Sequence, residues 1–292
     1  MSAAEEHRFV ICAALGEDGS AWEVRPAGSF LTGTATVCSS DVDLHAVRVD
    51  RFAYALPADP AQRRWVKQWL DDSVPCGFGE SRAQIEAAVM RCYGACTTLR
   101  PKAIHVDGTP RRLEADIVVA MEHRRYTGYA DSAGQPAYIP GVEFRTREDP
   151  CTPVVCYPAL RRQAIEQHDR DARGRSRSIM RIMKCVRHAM RNSGDPVLSG
   201  ATAKVPPCLI EAMLCRVPAW LYWDATDGFW ATLRQVLPTA IEMFAAPNAV
   251  NIRDLGDVQS LFGEGQTWSR EGALRFLRLA WSRLEEHDLP LF

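Results

Sequence analysis

Polar and apolar positions switch repeatedly between helical and strand periods along this chain. Residues 4–15 predict a short helix, ended by a turn over Gly16 to Gly19. Trp22 to Val24 predict a short strand, leading into Gly28-Ser29-Phe30-Leu31-Thr32-Gly33-Thr34, a loop of mostly small residues. Asp41-Val42-Asp43-Leu44-His45-Ala46-Val47 then alternates with a period of two, as a half-buried strand does. Trp65, Val66, Trp69 and Leu70 sit at helical spacing within 60–70. A second helix is expected from Ser81, taken as its N-cap, burying Ile85, Ala88, Val89 and Cys92. Residues 103–120 read as a hairpin, with Ile104-His105-Val106 as one strand, Asp107-Gly108 as the turn and Arg112 to Ala120 as the other strand. From Leu160 the period becomes helical, over 160–192, 206–215, 226–245 and 270–286. The expectation is an α+β chain with a mixed half, 1–157, and a helical half, 158–292. Pro150, Pro153 and Pro158 mark irregular backbone near the boundary.

The strand at 41–47 carries the first candidate chemistry. Residues i and i+2 of a strand face the same way, so Asp41 and Asp43 project together. Two like charges on one face repel, and a divalent cation relieves that cost; Mg²⁺ favours hard oxygen ligands completed by substrate phosphates. The Gly28-Ser29 segment just upstream can bring backbone N–H groups and a hydroxyl to a phosphate chain. A third carboxylate is expected from a neighbouring strand. In Leu113-Glu114-Ala115-Asp116-Ile117-Val118-Val119, Glu114 and Asp116 share one face, and strand parity does not choose between them. Alone, a Gly-Ser pair or an Asp-x-Asp pair says little, since solvated strand faces often carry such acids. Their order and spacing, followed by an apolar strand with a further acid, make a more specific combination.

Charge adds a second region. The 292 residues have a formal net charge of −1, with 24% charged and 47% hydrophobic residues. A globally basic nucleic-acid surface is therefore not indicated. Between 145 and 191, however, twelve Lys or Arg stand against five acids. Most of these belong to a solvated helix with i,i+4 pairs. Arg177, Arg181 and Lys184 differ, sharing one helical stripe opposite Ile179, Ile182, Met183 and Val186. Cations so placed would balance a triphosphate. No Gly-x-x-x-x-Gly-Lys-Ser/Thr run occurs. The ten cysteines include no Cys-x-x-Cys pair, and Cys92/Cys96 and Cys151/Cys156 lack zinc-finger histidines, so no structural zinc is expected. His123 reads as a satisfied structural histidine, and Gly77-Phe78-Gly79 and Gly263-Glu264-Gly265 read as turns. Neither a membrane-spanning apolar run nor a secretory leader is read from the sequence, so a cytoplasmic location without membrane attachment is expected.

Several segments, in order, resemble the bacterial cGAS/DncV-like nucleotidyltransferases (CD-NTases) of CBASS antiphage systems. GSFLTGTATVCSSDVDL (28–44) is similar to their Gly-Ser loop and Asp-x-Asp strand. LEADIVVAMEHRRY (113–126) is similar to their third-acid strand, and SRSIMRIMKCVRHAM (176–190) to the helix with a triphosphate-contacting lysine. KVPPCLIEAMLCRVP (204–218) and LFGEGQTW (261–268) resemble further family segments. The Glu-His-Arg-Arg-Tyr turn and the short length look most like clade E, whose members use pyrimidine as well as purine nucleotides.

The resemblance implies a polymerase-β-like nucleotidyltransferase core, a mixed sheet with helices, packed on a C-terminal helical lobe with the active site in the cleft between them. Asp41, Asp43 and Asp116 would then be the catalytic acids holding two Mg²⁺ ions, for which Mn²⁺ could substitute. Gly28 and Ser29 would contact the donor phosphates and Lys184 the triphosphate; with Arg177 they form the expected nucleotide-binding set. The implied reaction condenses NTPs (ATP with UTP, GTP or CTP) into a cyclic di- or trinucleotide, releasing pyrophosphate, and a separate CBASS effector reads the product. The alternatives are linear oligonucleotide synthesis, modification of another acceptor, or a nucleotide-binding module without catalysis. Three departures stand out: a short stretch before Gly28, Val-Val-Ala after Asp116 where relatives often carry Pro, and no counterpart of the animal enzyme's zinc ribbon or basic DNA surface. Activation by DNA is accordingly not expected.

Overall fold

The structure, a computed structural model, describes residues 3–15, 21–36, 41–70, 77–110, 112–223, 228–263 and 266–286. The turn expected at Gly16–Gly19 and the Glu264-Gly265 pair lie outside them. The first elements are α1 (Ala3–Leu15), β1 (Trp22–Pro26), α2 (Gly28–Thr32), β2 (Val42–Ala55), α3 (Pro60–Lys67) and α4 (Phe78–Tyr93). Strands β3 (Thr97–Leu99), β4 (Ile104–Val106), β5 (Ala115–Ala130), β6 (Pro136–Phe144) and β7 (Val154–Cys156) follow. The remainder is helical: α5 (Pro158–Asp171), α6 (Ser176–Asn192), α7 (Pro196–Thr202), α8 (Pro207–Cys215), α9 (Gly228–Ala245) and α10 (Arg270–Glu285).

Two compact units emerge. The first joins Met1–Gly28 to Asp41–Ala159; the second joins Ser29–Ser40 to Leu160–Phe292. A linear reading assigns 29–40 to the first half, but this segment clusters with the helical residues.

In the first unit the strands run β1-β2-β5-β4-β3, with β6 paired to β5 and β7 to β6. Only β2 and β5 pair in parallel; the other pairs are antiparallel. Alternation on β2 buries Val42, Leu44 and Ala46 and leaves Asp41, Asp43 and His45 half-buried. Strand β5 does the same, with Ala115, Ile117 and Val119 inside and Asp116 and Val118 half-buried. Helices α1 and α4 pack together through faces that bury Ile11 and Leu15, and Ile85, Ala88 and Val89. Burying each of the Ile, Leu and Val side chains fully contributes roughly 1.5–3 kcal/mol.

The second unit has its own core. Helix α6 buries Ile179, Met180, Met183, Val186 and Met190, an i,i+3/i+4 face. It meets Leu209, Ile210, Met213 and Leu214 of α8 and the apolar faces of α9 and α10. Local signals set the helix starts. Asp195 accepts from the Val197 and Leu198 amides ahead of α7, and Ser269 from Gly272 ahead of α10. Pro207 stands in the first turn of α8, where no intrahelical donor is needed.

The elements differ from expectation in several places. The helix expected over 160–192 is two helices, because Arg173 and Gly174 take positive φ (53° and 77°). Asp169 of α5 then accepts from the Arg177 amide at 3.0 Å, capping α6 from outside. Apolar periodicity runs through this break and hides it. Ser81 is not an N-cap: α4 starts at Phe78, and Ser81 lies buried within it. Residues 28–32, expected as loop, form a short helical turn. The hairpin strand starts at Ala115 and continues to Ala130, and β6, β7 and α7 had no clear sequence signal. Pro140-Gly141 interrupts the alternation of β6, although pairing with β5 runs through it.

Candidate active site

The acids of the first unit are placed by sheet register. In the parallel pair, Asp43 is the register partner of Asp116, and Val42 of Ala115. Neighbouring strands lie about 4.8 Å apart, so both carboxylates stand side by side on one sheet face. Asp41 sits one residue before β2 and faces the same way by parity; the Val42 amide donates to the Glu114 carbonyl at 2.8 Å. Glu114 lies ahead of β5 and is exposed, whereas Asp116 is half-buried within it. His45 occupies the next position of this face. Burial, and then the charge of Arg25, pull its pKa to about 4, so at neutral pH it adds no positive charge there.

Gly28 is tied to this face by backbone geometry. The Ala27 amide donates to the Asp43 carbonyl at 2.8 Å, continuing the β1–β2 pairing, and the chain then turns at Gly28 with φ +53°. A Cβ at Gly28 would lie 1.8 Å from Asp43 Oδ2. Only glycine accommodates both the left-handed backbone and a carboxylate at that distance.

Asp116 has two donors. His105 of β4, its antiparallel register partner, places Nδ1 2.8 Å from Asp116 Oδ1. Arg100 Nη1 lies 3.3 Å from each carboxylate oxygen. Among the described residues, no three acid, His or Cys side chains are gathered into one cation cage. The donor chemistry nevertheless suits Mg²⁺: Asp41, Asp43 and Asp116 are hard oxygen ligands sharing one face, and two of them are register neighbours.

In the second unit, the stripe seen in the sequence converges on residues 29–36. Arg181 donates to the Gly33 carbonyl. Arg177 Nη1 lies 3.5 Å from where a Gly33 Cβ would stand, and its guanidinium is 3.8 Å from both Glu166 and Asp169. Ser29 closes the turn through its carbonyl, which accepts from the Thr34 amide at 3.0 Å. Lys184 is buried, with its side chain 5% exposed. Its ammonium donates to Thr34 O (3.1 Å), to Thr34 Oγ1 (2.8 Å) and to Glu211 Oε1. An ammonium has three protons, and three acceptors surround this one. Through these contacts Lys184 holds the backbone and hydroxyl of Thr34.

Glu211 anchors this network. It accepts from Lys184 and Thr34 on one oxygen and from Arg161 on the other, the Arg161 Nε at 3.1 Å. Burial pushes its carboxyl upward, but Arg161 and Lys184 outweigh burial and hold it at about 2. Burial lowers the Lys184 pKa, and Glu211 offsets only part of that. Sequence reasoning passed over Glu211, Arg161, Thr34, Arg100 and His105. Only Glu211 had a sequence signal, as the one acid in the apolar stretch Cys208 to Cys215.

His123 behaves as expected of a structural histidine, buried 3.1 Å from Glu143 Oε2 and packed edge-on against Tyr157. Cys92 and Cys96, and likewise Cys151 and Cys156, form no disulfide with each other.

Comparison with known proteins bears on this geometry. Residues 163–285 match the model of the cGAS/DncV-like nucleotidyltransferase C-terminal helical domain. The chain is 24% identical, over 263 residues, to the cyclic dipyrimidine nucleotide synthase CdnE of Cecembia lonarensis, covering 88% of this chain and 82% of that protein. Its fold matches the Rhodothermus marinus CdnE c-UMP-AMP synthase with Apcpp and Upnpp, at TM-score 0.76 and 24% identity, over 98% of this chain and 92% of that one. It also matches the Elizabethkingia meningoseptica CdnE cyclic dinucleotide synthase with GTP and Apcpp, at TM-score 0.74 and 20% identity, over 97% and 92%.

Proposed function

Because the chain belongs to the cGAS/DncV-like nucleotidyltransferases, we propose that it condenses NTPs into a cyclic di- or trinucleotide with release of pyrophosphate. The observation that carries this reading is the register pairing of Asp43 with Asp116, with the Gly28 turn seated against the Asp43 carboxylate. Asp41, Asp43 and Asp116 would hold two Mg²⁺ ions, or Mn²⁺ in their place. When bound, such ions make an acceptor hydroxyl easier to deprotonate and offset charge on a leaving pyrophosphate.

The protein's own groups do the rest. Asp116 takes the proton of the acceptor ribose hydroxyl as that oxygen bonds to the donor α-phosphorus. The bond to the pyrophosphate oxygen breaks, and the pyrophosphate leaves with its electron pair. Gly28 and Ser29 bind the donor phosphates, and Arg177 supplies positive charge to the triphosphate. Lys184 works through Thr34, fixing the shape of the segment that carries Ser29. A second such displacement, within the linear intermediate, closes the ring.

Its relatives support pyrimidine or purine use: one is a cyclic dipyrimidine nucleotide synthase, another a c-UMP-AMP synthase. We assign the chain the same class of product, ATP with UTP, GTP or CTP as substrates, and a role in CBASS signalling through a separate effector in the cytoplasm. No single helix among the described residues is long and apolar enough to cross a membrane. The deciding experiment incubates the protein with all four NTPs and Mg²⁺, followed by mass spectrometry and linkage-specific nuclease digestion. Cyclic products support the reading. Linear oligonucleotides or a tagged acceptor would move the assignment to a related transferase, and NTP binding without pyrophosphate release would make it a binding module.

A further inference from the structure

Strand β4 is only three residues long, and all three are buried. Its central residue is fixed on both sides, since His105 pairs with Thr98 of β3 and with Asp116 of β5. Nothing in sheet formation calls for a histidine there, where a β-branched residue would pack as well. The imidazole instead makes a directed polar contact, Nδ1 to Asp116 Oδ1 at 2.8 Å, while Nε2 lies 3.4 Å from Asp107 Oδ1. The His105 side chain is 6% exposed and Asp116 24%, so this contact is sheltered where that of Arg100, 44% exposed, is not.

We infer that His105 is a positioning residue for Asp116, an inference that rests on the reading of Asp116 as the third acid. An ionised carboxylate only accepts hydrogen bonds, so Nδ1 carries the proton and donates it. With Oδ1 so engaged, the carboxylate plane is fixed, and its remaining lone pairs stay available to a cation or to the acceptor hydroxyl. Outer partners of this kind typically change metal affinity or activity ten- to a hundredfold when removed.

The test compares His105→Asn, His105→Gln and His105→Ala, with Asp116→Asn as the reference. An Asn amide nitrogen stands where Nδ1 stands, whereas a Gln amide nitrogen reaches toward the position of Nε2. Each folded variant is assayed for pyrophosphate release and, independently, for Mn²⁺ affinity by electron paramagnetic resonance with a non-hydrolysable ATP analogue. The expected result is a loss in kcat of about ten- to a hundredfold for Gln and Ala with NTP KM nearly unchanged. Mn²⁺ binding should weaken in parallel, and Asn should return both within about threefold of wild type. If His105→Ala does not fold, the Asn and Gln pair still decides the matter. Equal behaviour of Asn and Gln, or wild-type kcat and Mn²⁺ affinity in all three while Asp116→Asn is inactive, overturns the role of His105 alone. Full activity of Asp116→Asn would instead overturn the site reading beneath it.

Discussion

Glu211→Gln removes one negative charge and almost no volume, so it isolates what the buried carboxylate does. Glu211 is 2% exposed and is the counter-ion of both Lys184 and Arg161. Without it, two cations share a buried site with no carboxylate, and breaking such a pairing from one side costs about 3–5 kcal/mol. An independent route gives a similar size. The carboxyl titrates at about 2 in the fold against an ordinary value of 4.5, which corresponds to about 3 kcal/mol in favour of the ionised folded form. A carboxyl whose folded pKa is depressed stabilises fully above its unfolded pKa and loses that contribution as pH falls through the folded value. Gln mimics the protonated acid. The stability gap between wild type and Glu211→Gln should therefore be about 3 kcal/mol at pH 7, less than half of that at pH 3, and near zero at about pH 2. Urea titrations followed by tryptophan fluorescence are suited to this, because Trp220, Trp223, Trp230, Trp268 and Trp281 all belong to the second unit. Equal stability at pH 7, or a gap that stays constant down to pH 3, would refute the argument that this ion network holds the helical unit together.

Further outcomes are expected at the acids, at Gly28, at Arg177 and at Lys184. Asp41→Ala with Asp43→Ala should abolish pyrophosphate release without unfolding the protein, and Asp116→Asn should cost at least about a hundredfold more activity than Glu114→Gln; the reverse ranking at saturating Mg²⁺ would move the third acid to Glu114. Gly28→Ala should lower both stability, by more than about 1 kcal/mol in urea titration, and turnover, because its φ of +53° and the 1.8 Å approach to Asp43 Oδ2 leave no room for a methyl group. Arg177→Ala should weaken affinity for every NTP alike by about tenfold with little change in stability, since its side chain is 27% exposed. Lys184→Ala should lose affinity and stability together, which calorimetric NTP titration paired with thermal melting would separate.

The period of the apolar residues was enough to place β1, the first half of β2, β4, α8, α9 and α10 close to where they form, because each buries one face against a core and its own sequence specifies that face; the second half of β2, to Ala55, was not placed. The pairing of Asp41 with Asp43 on one face was equally local, a matter of strand parity over three residues. The choice between Asp116 and Glu114 was not. It depends on where β5 begins and on its register against β2, more than sixty residues earlier in the chain. The break at Arg173–Gly174 was hidden for a related reason: apolar periodicity continues across a backbone turn that leaves the buried faces in step. The partners of Lys184 lay furthest from view. Thr34, Glu211 and Arg161 are spread along the chain, and a stripe of cations on α6 announces positive charge without naming its acceptor. Only packing residues 29–36 among the helices of the second unit brings Thr34 and Glu211 to the ammonium and excludes water from it. Burial then requires every donor to find an acceptor, and in this protein those acceptors are supplied by the tertiary structure.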